Sequence, residues 1–97
     1  LLYLRDGVWD GRRILPEGWV QYSRTPTPAS PTREYGAHFW TNAGDPADPA
    51  KRRYPSLPTD AYAASGFQGQ NVLIVPSRDA VIVRLGMTHH KPAWDLD

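Results

Sequence analysis

Few stretches of this chain combine residue types and spacing that chemistry needs, and the densest is Ala64-Ser65-Gly66-Phe67-Gln68-Gly69-Gln70. Two glycines stand three apart between apolar, strand-like residues. Three roles fit: a hairpin turn, a phosphate cradle, or the wall of an active site completed by other residues. A Walker loop needs Gly-x-x-x-x-Gly-Lys-Ser/Thr leading into a helix. Here Gly69 precedes Gln70 and a strand-like run. A dinucleotide fingerprint needs a third glycine and a following helix, and lacks both here. Ser65 follows Ala63-Ala64 and so is not in the Gly-x-Ser-x-Gly elbow that exposes a nucleophile on a strand-to-helix turn. Ser-x-x-Lys occurs nowhere in the chain, and no serine has an obvious base beside it. Ser65 therefore reads as a small residue packed in a strand.

The other candidates are weaker. His89-His90 are adjacent, so on extended chain they point to opposite sides; only His38 could join them, and there is no cysteine. They read as solvated histidines rather than metal ligands. Asp45 and Asp48 lack the spacing of a calcium loop. Lys51-Arg52-Arg53 reads as a solvated face, because 11 basic and 10 acidic residues leave a formal charge of only +1. That balance gives no pull toward nucleic acid. Without cysteine there is no disulfide framework and no thiol nucleophile. No apolar run reaches the ~20 residues of a membrane span, and no cofactor is implied. Gly66 and Gly69 remain. Glycines at a strand end allow close backbone approach, to a ligand or to another segment. On the residues alone, the simpler reading is a four-residue hairpin loop that needs positive φ.

The elements that would position these residues follow from patterning. A chain of 97 residues suits one small domain, burying roughly 60–65% of its unfolded surface. Leu1–Asp6 reads as the last turns of a helix stopped by Gly7. Two turns do not hold alone in water, so more chain is expected upstream of Leu1. Asp10-Gly11 marks a tight turn. Leu15–Ser23 fits a short helix with Pro16 at its first position. Residues 24–34 form an extended loop, and the aromatic run 35–41 reads as a strand. Residues 43–60 carry four prolines and no period, and an irregular loop of that length is usually functional or mobile. Strands are expected over 61–66, 70–76 and 80–86, joined by short links into an antiparallel meander. The class is α+β: an antiparallel sheet of three to four strands with short helices.

Taken together and in order, "LLYLRDGVWDGRRILPEGWV", "YGAHFWTN" and "AYAASGFQGQNVLIVPSRDAVIVRLG" resemble the C-terminal part of the serine β-lactamase-like hydrolases. The likeness is to the class C-like branch with its esterases, D-aminopeptidases and 6-aminohexanoate-dimer hydrolases, and it spans roughly residues 1–88. It implies a fragment of the β-lactamase/transpeptidase-like fold, acting on a small-molecule ester or amide through an acyl-enzyme. Ser-x-x-Lys and Tyr-x-Asn, the first two motifs of that family, would lie upstream of Leu1. The third motif, usually Lys-Thr-Gly, corresponds by its spacing to Gly69 with Ala64-Ser65-Gly66. Ala64 stands where the commoner form has a cation or imidazole, so this motif would not hold a substrate carboxylate, as in the esterase and amide-hydrolase branch. The resemblance makes the backbone N–H of Phe67 an oxyanion-hole donor. It makes Ala64, Ser65, Gly66, Gly69 and Gln70 the substrate-binding edge, with Tyr35, His38, Trp40 and the loop 43–60 near the mouth. Alone, the chain would lack nucleophile and base, be inactive, and form a homo-oligomer through its uncovered sheet. The alternative of another class is a free-standing binding module whose aromatics stack sugars or peptides.

Overall fold

A computed structural model of the chain describes residues 1–89. His90, half of the adjacent histidine pair, lies outside the described residues. The fold is α+β. A small hairpin, β1 (Val8–Trp9) and β2 (Arg12–Arg13), is followed by α1 (Trp19–Arg24). A four-stranded antiparallel meander then runs β3 (Trp40–Thr41), β4 (Tyr62–Ser65), β5 (Asn71–Val75) and β6 (Ala80–Arg84), each strand beside the next in sequence. Short 3-10 turns at Phe67–Gly69 and Pro76–Arg78 link the last three strands. No helix among the described residues is long and apolar enough to cross a membrane.

β5 lies between β4 and β6, and it reads Asn-Val-Leu-Ile-Val because both of its faces are covered. Leu73 and Val75 pack with Ala61, Ala63 and Tyr54 on one face. Ile74 packs with Tyr62 and Val20 on the other, flanked by Tyr3, Leu4, Leu15 and Phe39. Burying each of these aliphatic side chains is worth about 2 kcal/mol. The Tyr62 hydroxyl donates to the carbonyl of Tyr3 at 3.1 Å, which ties the first residues to the sheet. Burial pushes that hydroxyl up to about 12, with Arg24 opposing.

Three expected elements differ in the structure. Leu1–Asp6 makes a helical turn, not a helix: the N–H of Arg5 bonds the carbonyl of Leu1, and the N–H of Gly7 closes onto Leu2. Asp6 and Gly7 are both left-handed, with φ of 50° and 81°. The helix expected over 15–23 starts only at Trp19, because Gly18 takes φ 79° and serves as its N-cap; Pro16 lies in the preceding turn, its carbonyl accepting from the Trp19 N–H. The run 35–41 is not one strand. Tyr35 pairs with Trp40, and between them the chain reverses, with the Gly36 N–H bonded to the Phe39 carbonyl at 2.8 Å. Gly36 is pressed on the end of α1: a Cβ there would lie 2.3 Å from the Ser23 carbonyl oxygen and 2.8 Å from that of Thr25.

The segment 43–60 has no regular element but is firmly held. Asn42, fully buried, accepts from the Tyr54 N–H at 2.8 Å. Its amide nitrogen donates toward the carbonyls of Tyr54 and Pro58, both at 2.9 Å, and of Leu57 at 3.2 Å. Two amide hydrogens serve three acceptors, so one bond is shared. Asp60 then receives the backbone N–H and hydroxyl of Ser77.

Two predictions follow from this packing. Asn42→Ala strands those buried carbonyls and the Tyr54 N–H, and it lowers unfolding free energy by about 2–4 kcal/mol in a urea titration; a loss under about 0.5 kcal/mol would contradict the clamp. Tyr62 holds its proton more tightly folded, at about 12, than unfolded, near 10.0. Its contribution is therefore complete below the lower value and is lost as pH rises between the two. Tyr62→Phe flattens the fall of the unfolding midpoint over that window, and an unchanged slope would refute the assignment.

Candidate active site

β3 pairs with β4 only through Trp40 with Ala63 and Thr41 with Tyr62. β4 continues to pair with β5 as far as Ser65 with Asn71. Extending the β3 register would set residues 37–39 against 64–66, but those residues are taken up in the Gly36–Phe39 reversal. The edge of β4 at Ala64-Ser65-Gly66 is thus left without a strand on the β3 side. A groove of about 330 Å³ opens there, lined by Tyr35, His38 and Trp40, by Ala64, Ser65, Gly66 and Gln70, and by Asn71, Val72 and Leu85. Seven of the expected site residues share this groove. Phe67 and Gly69 do not line it; they sit on the adjoining turn. His38 reaches it with a left-handed backbone, φ 67°, which costs a non-glycine residue about 1 kcal/mol or more.

The turn is closed by the Gly66 N–H on the Gln70 carbonyl at 2.7 Å and by the Gln70 N–H on the Phe67 carbonyl at 3.4 Å. Positive φ falls on Gln68 (59°) and Gly69 (77°). Gly66 is extended at φ −118°, and a Cβ on it would meet nothing closer than 3.7 Å. Among the described residues, neither backbone conformation nor packing requires glycine at position 66. The Phe67 side chain is 81% exposed, and its N–H donates to no group among the described residues.

Residues not singled out from sequence hold the turn. The Gly69 carbonyl accepts from Arg84 Nη1 at 2.6 Å and from Asn71 Nδ2 at 2.9 Å. The Gln68 carbonyl accepts from the Thr88 N–H at 3.2 Å. A usable signal was Arg84 itself, the one charge in the apolar run Ala80–Leu85, set in register opposite Asn71.

The aromatic wall is fixed from behind. Trp40 meets Tyr35 edge-on at 4.8 Å, and the Arg53 guanidinium lies 3.9 Å over the Trp40 ring. Arg53 also reaches Glu34 at 3.5 Å and the Tyr54 hydroxyl at 3.0 Å. The loop 43–60 therefore touches the site's wall through Arg53 but does not line the groove. The expectation of a solvated basic face holds only for Lys51: Arg52 and Arg53 are half-buried, with Arg52 bonded to the carbonyls of Pro49 and Pro55.

Chemically, the groove offers an open strand edge, a free backbone donor beside it, and an aromatic side wall. Ser65 and His38 line it together, yet no hydrogen bond joins them among the described residues. No group of three His, Cys, Asp or Glu there could hold a metal. Compared with protein-family profiles and with curated proteins, the chain has no match.

The two glycines separate structural need from access. Gly66→Ala leaves thermal stability within about 0.5 kcal/mol, while Gly69→Ala, forced to positive φ and against Arg84, costs about 1–2 kcal/mol. Equal losses at both positions would show that Gly66 serves the fold rather than something approaching it.

Proposed function

We propose that this chain is the C-terminal part of a serine hydrolase of the β-lactamase-like kind, which cleaves an ester or amide through an acyl-enzyme. In this reading it supplies the third-motif strand and one oxyanion-hole donor. The observation that carries the proposal is the pairing of an uncommitted Phe67 N–H with an open β4 edge at Ala64-Ser65-Gly66. The nucleophile and its lysine come from a Ser-x-x-Lys outside this chain. The serine oxygen adds to the substrate carbonyl as its proton passes to the base. Negative charge then grows on the carbonyl oxygen, where a fixed backbone donor is worth roughly 3–4 kcal/mol. Collapse expels the alcohol or amine with a proton, and water releases the acyl group by the same steps. An extended substrate pairs along the β4 edge as an added strand would. Gly66, free of a side chain, leaves the approach clear, and Ala64 adds no charge, which favours an uncharged group at that point.

The binding-module reading fits less well. One face of Trp40 is occupied by Arg53, and Tyr35 meets the ring edge-on, which leaves a single face for stacking. The exposed Ile82, Val83, Leu85 and Met87 on and after β6 are surface that the remainder of a hydrolase, or a second copy of the isolated chain, would cover.

Treated with an activated ester and a fluorophosphonate, the isolated chain shows neither turnover nor labelling. The gene product carrying this segment is labelled on the serine of a Ser-x-x-Lys, and Phe67→Pro, which removes the N–H, lowers its kcat about 10²–10³-fold. Labelling of Ser65, or an undiminished kcat in Phe67→Pro, would defeat the proposal.

A further inference from the structure

We infer that Arg84, together with Thr88, is a positioning residue that fixes the direction of the Phe67 N–H, an inference that rests on the hydrolase reading above. The turn that carries this N–H is weakly made on its Phe67–Gly69 side. Of its two closing bonds, the one from the Gly66 N–H to the Gln70 carbonyl is short at 2.7 Å, but the one from the Gln70 N–H to the Phe67 carbonyl is long at 3.4 Å, and two successive residues, Gln68 and Gly69, are left-handed. Left alone, such peptide units rotate readily, and a donor that rotates stabilises an oxyanion poorly.

Arg84 removes that freedom. One guanidinium nitrogen donates to the Gly69 carbonyl and the other to the Thr88 hydroxyl, both at 2.6 Å. The chain turns back after β6 through Gly86 at φ 143°, so that the Thr88 N–H reaches the Gln68 carbonyl. Arg84 and Thr88 thus close a ring over the Gln68 and Gly69 carbonyls, the second of which also accepts from Asn71 Nδ2 at 2.9 Å. The bonds from Arg84 are charge-assisted and stronger than neutral ones, and a lysine cannot reproduce the planar fork that spans both acceptors. The contact is also close: a Cβ on Gly69 would stand 3.0 Å from Arg84 Nη1. With Gly66 tied to Gln70 on one side and Gln68 and Gly69 held on the other, the Phe67 peptide is braced at both ends.

The test uses the gene product that carries this segment. Arg84→Ala lowers kcat about tenfold to a hundredfold with KM within about twofold, the size expected when a catalytic donor is displaced by a fraction of an ångström to an ångström. Methylguanidinium in the buffer restores part of the loss in Arg84→Ala and none in Phe67→Pro. Thr88→Val, a milder change that removes only the hydroxyl, lowers the same parameter about threefold to tenfold. An amide spectrum of the same proteins shows the Phe67 and Gly69 resonances shifted, with those of Ala63 and Leu73 in place. Wild-type kcat in both variants, or a loss confined to KM, overturns the positioning role while the hydrolase reading stands. A wild-type protein that neither turns over esters nor takes the fluorophosphonate removes the hydrolase reading, and this role with it.

Discussion

The close approach of Gly36 to the end of α1 is the constraint from which the groove follows. The Ser23 and Thr25 carbonyls leave no room for a side chain at position 36, and the Ala37 N–H bonds the Ser23 carbonyl as well. Held there, the chain leaves the sheet direction at Gly36 and returns to it at Trp40. Had residues 37–39 continued as strand, they would have filled the edge of β4 opposite Ala64-Ser65-Gly66. The reversal instead withdraws the strand and delivers Tyr35, His38 and Trp40 to the rim of the vacated edge. A helix-to-loop contact thus decides the shape of a site on the sheet.

The sheet makes that edge stiff enough to use. β5 is paired on both sides and buried on both faces, so β4 is held along its full length by one neighbour even where it lacks the other. Asn42 fixes the opposite end of β3 by clamping the segment that follows it. The same segment returns Arg53 to the back of Trp40. An irregular stretch of 43–60 can do this because one buried amide and local turn bonds such as Lys51 N–H to the Asp48 carbonyl satisfy its polar groups without a ladder. Buried polar groups of this kind are costly when unpaired and specific when paired.

Much of the sheet was legible in the sequence. Asn71–Val75 and Ala80–Arg84 are apolar runs separated by Pro76-Ser77-Arg78-Asp79, and an apolar run bounded by turn residues reads as strand without tertiary knowledge. Asp10-Gly11 announced its hairpin turn in the same way. The strand expected over 35–41 fails on a contact distant in sequence, since nothing in Tyr35–Thr41 signals that Gly36 will meet the Ser23 carbonyl. The helix expected over 15–23 fails locally, at Gly18, which turns left-handed where an added Cβ would meet nothing within 4 Å. The site was legible as a set of residues and not as a geometry. Ala64, Ser65, Gly66 and Gln70 are contiguous or nearly so, whereas Arg84 and Thr88 enter only through strand register and the return of the chain after β6. The backbone places positive φ on Gln68 and Gly69, which leaves Gly66 with no need to be glycine among the described residues.

The central claim is that the Phe67 N–H receives the oxyanion formed at a serine outside this chain. A crystal structure of the phosphonylated gene product tests it directly, because a phosphonyl oxygen occupies the place of that oxyanion. The account predicts the phosphorus on the serine of a Ser-x-x-Lys and its oxygen about 2.7–3.1 Å from the Phe67 nitrogen. A phosphonyl oxygen held by other donors, with the Phe67 N–H turned to solvent, or phosphorus bonded to Ser65, would contradict it.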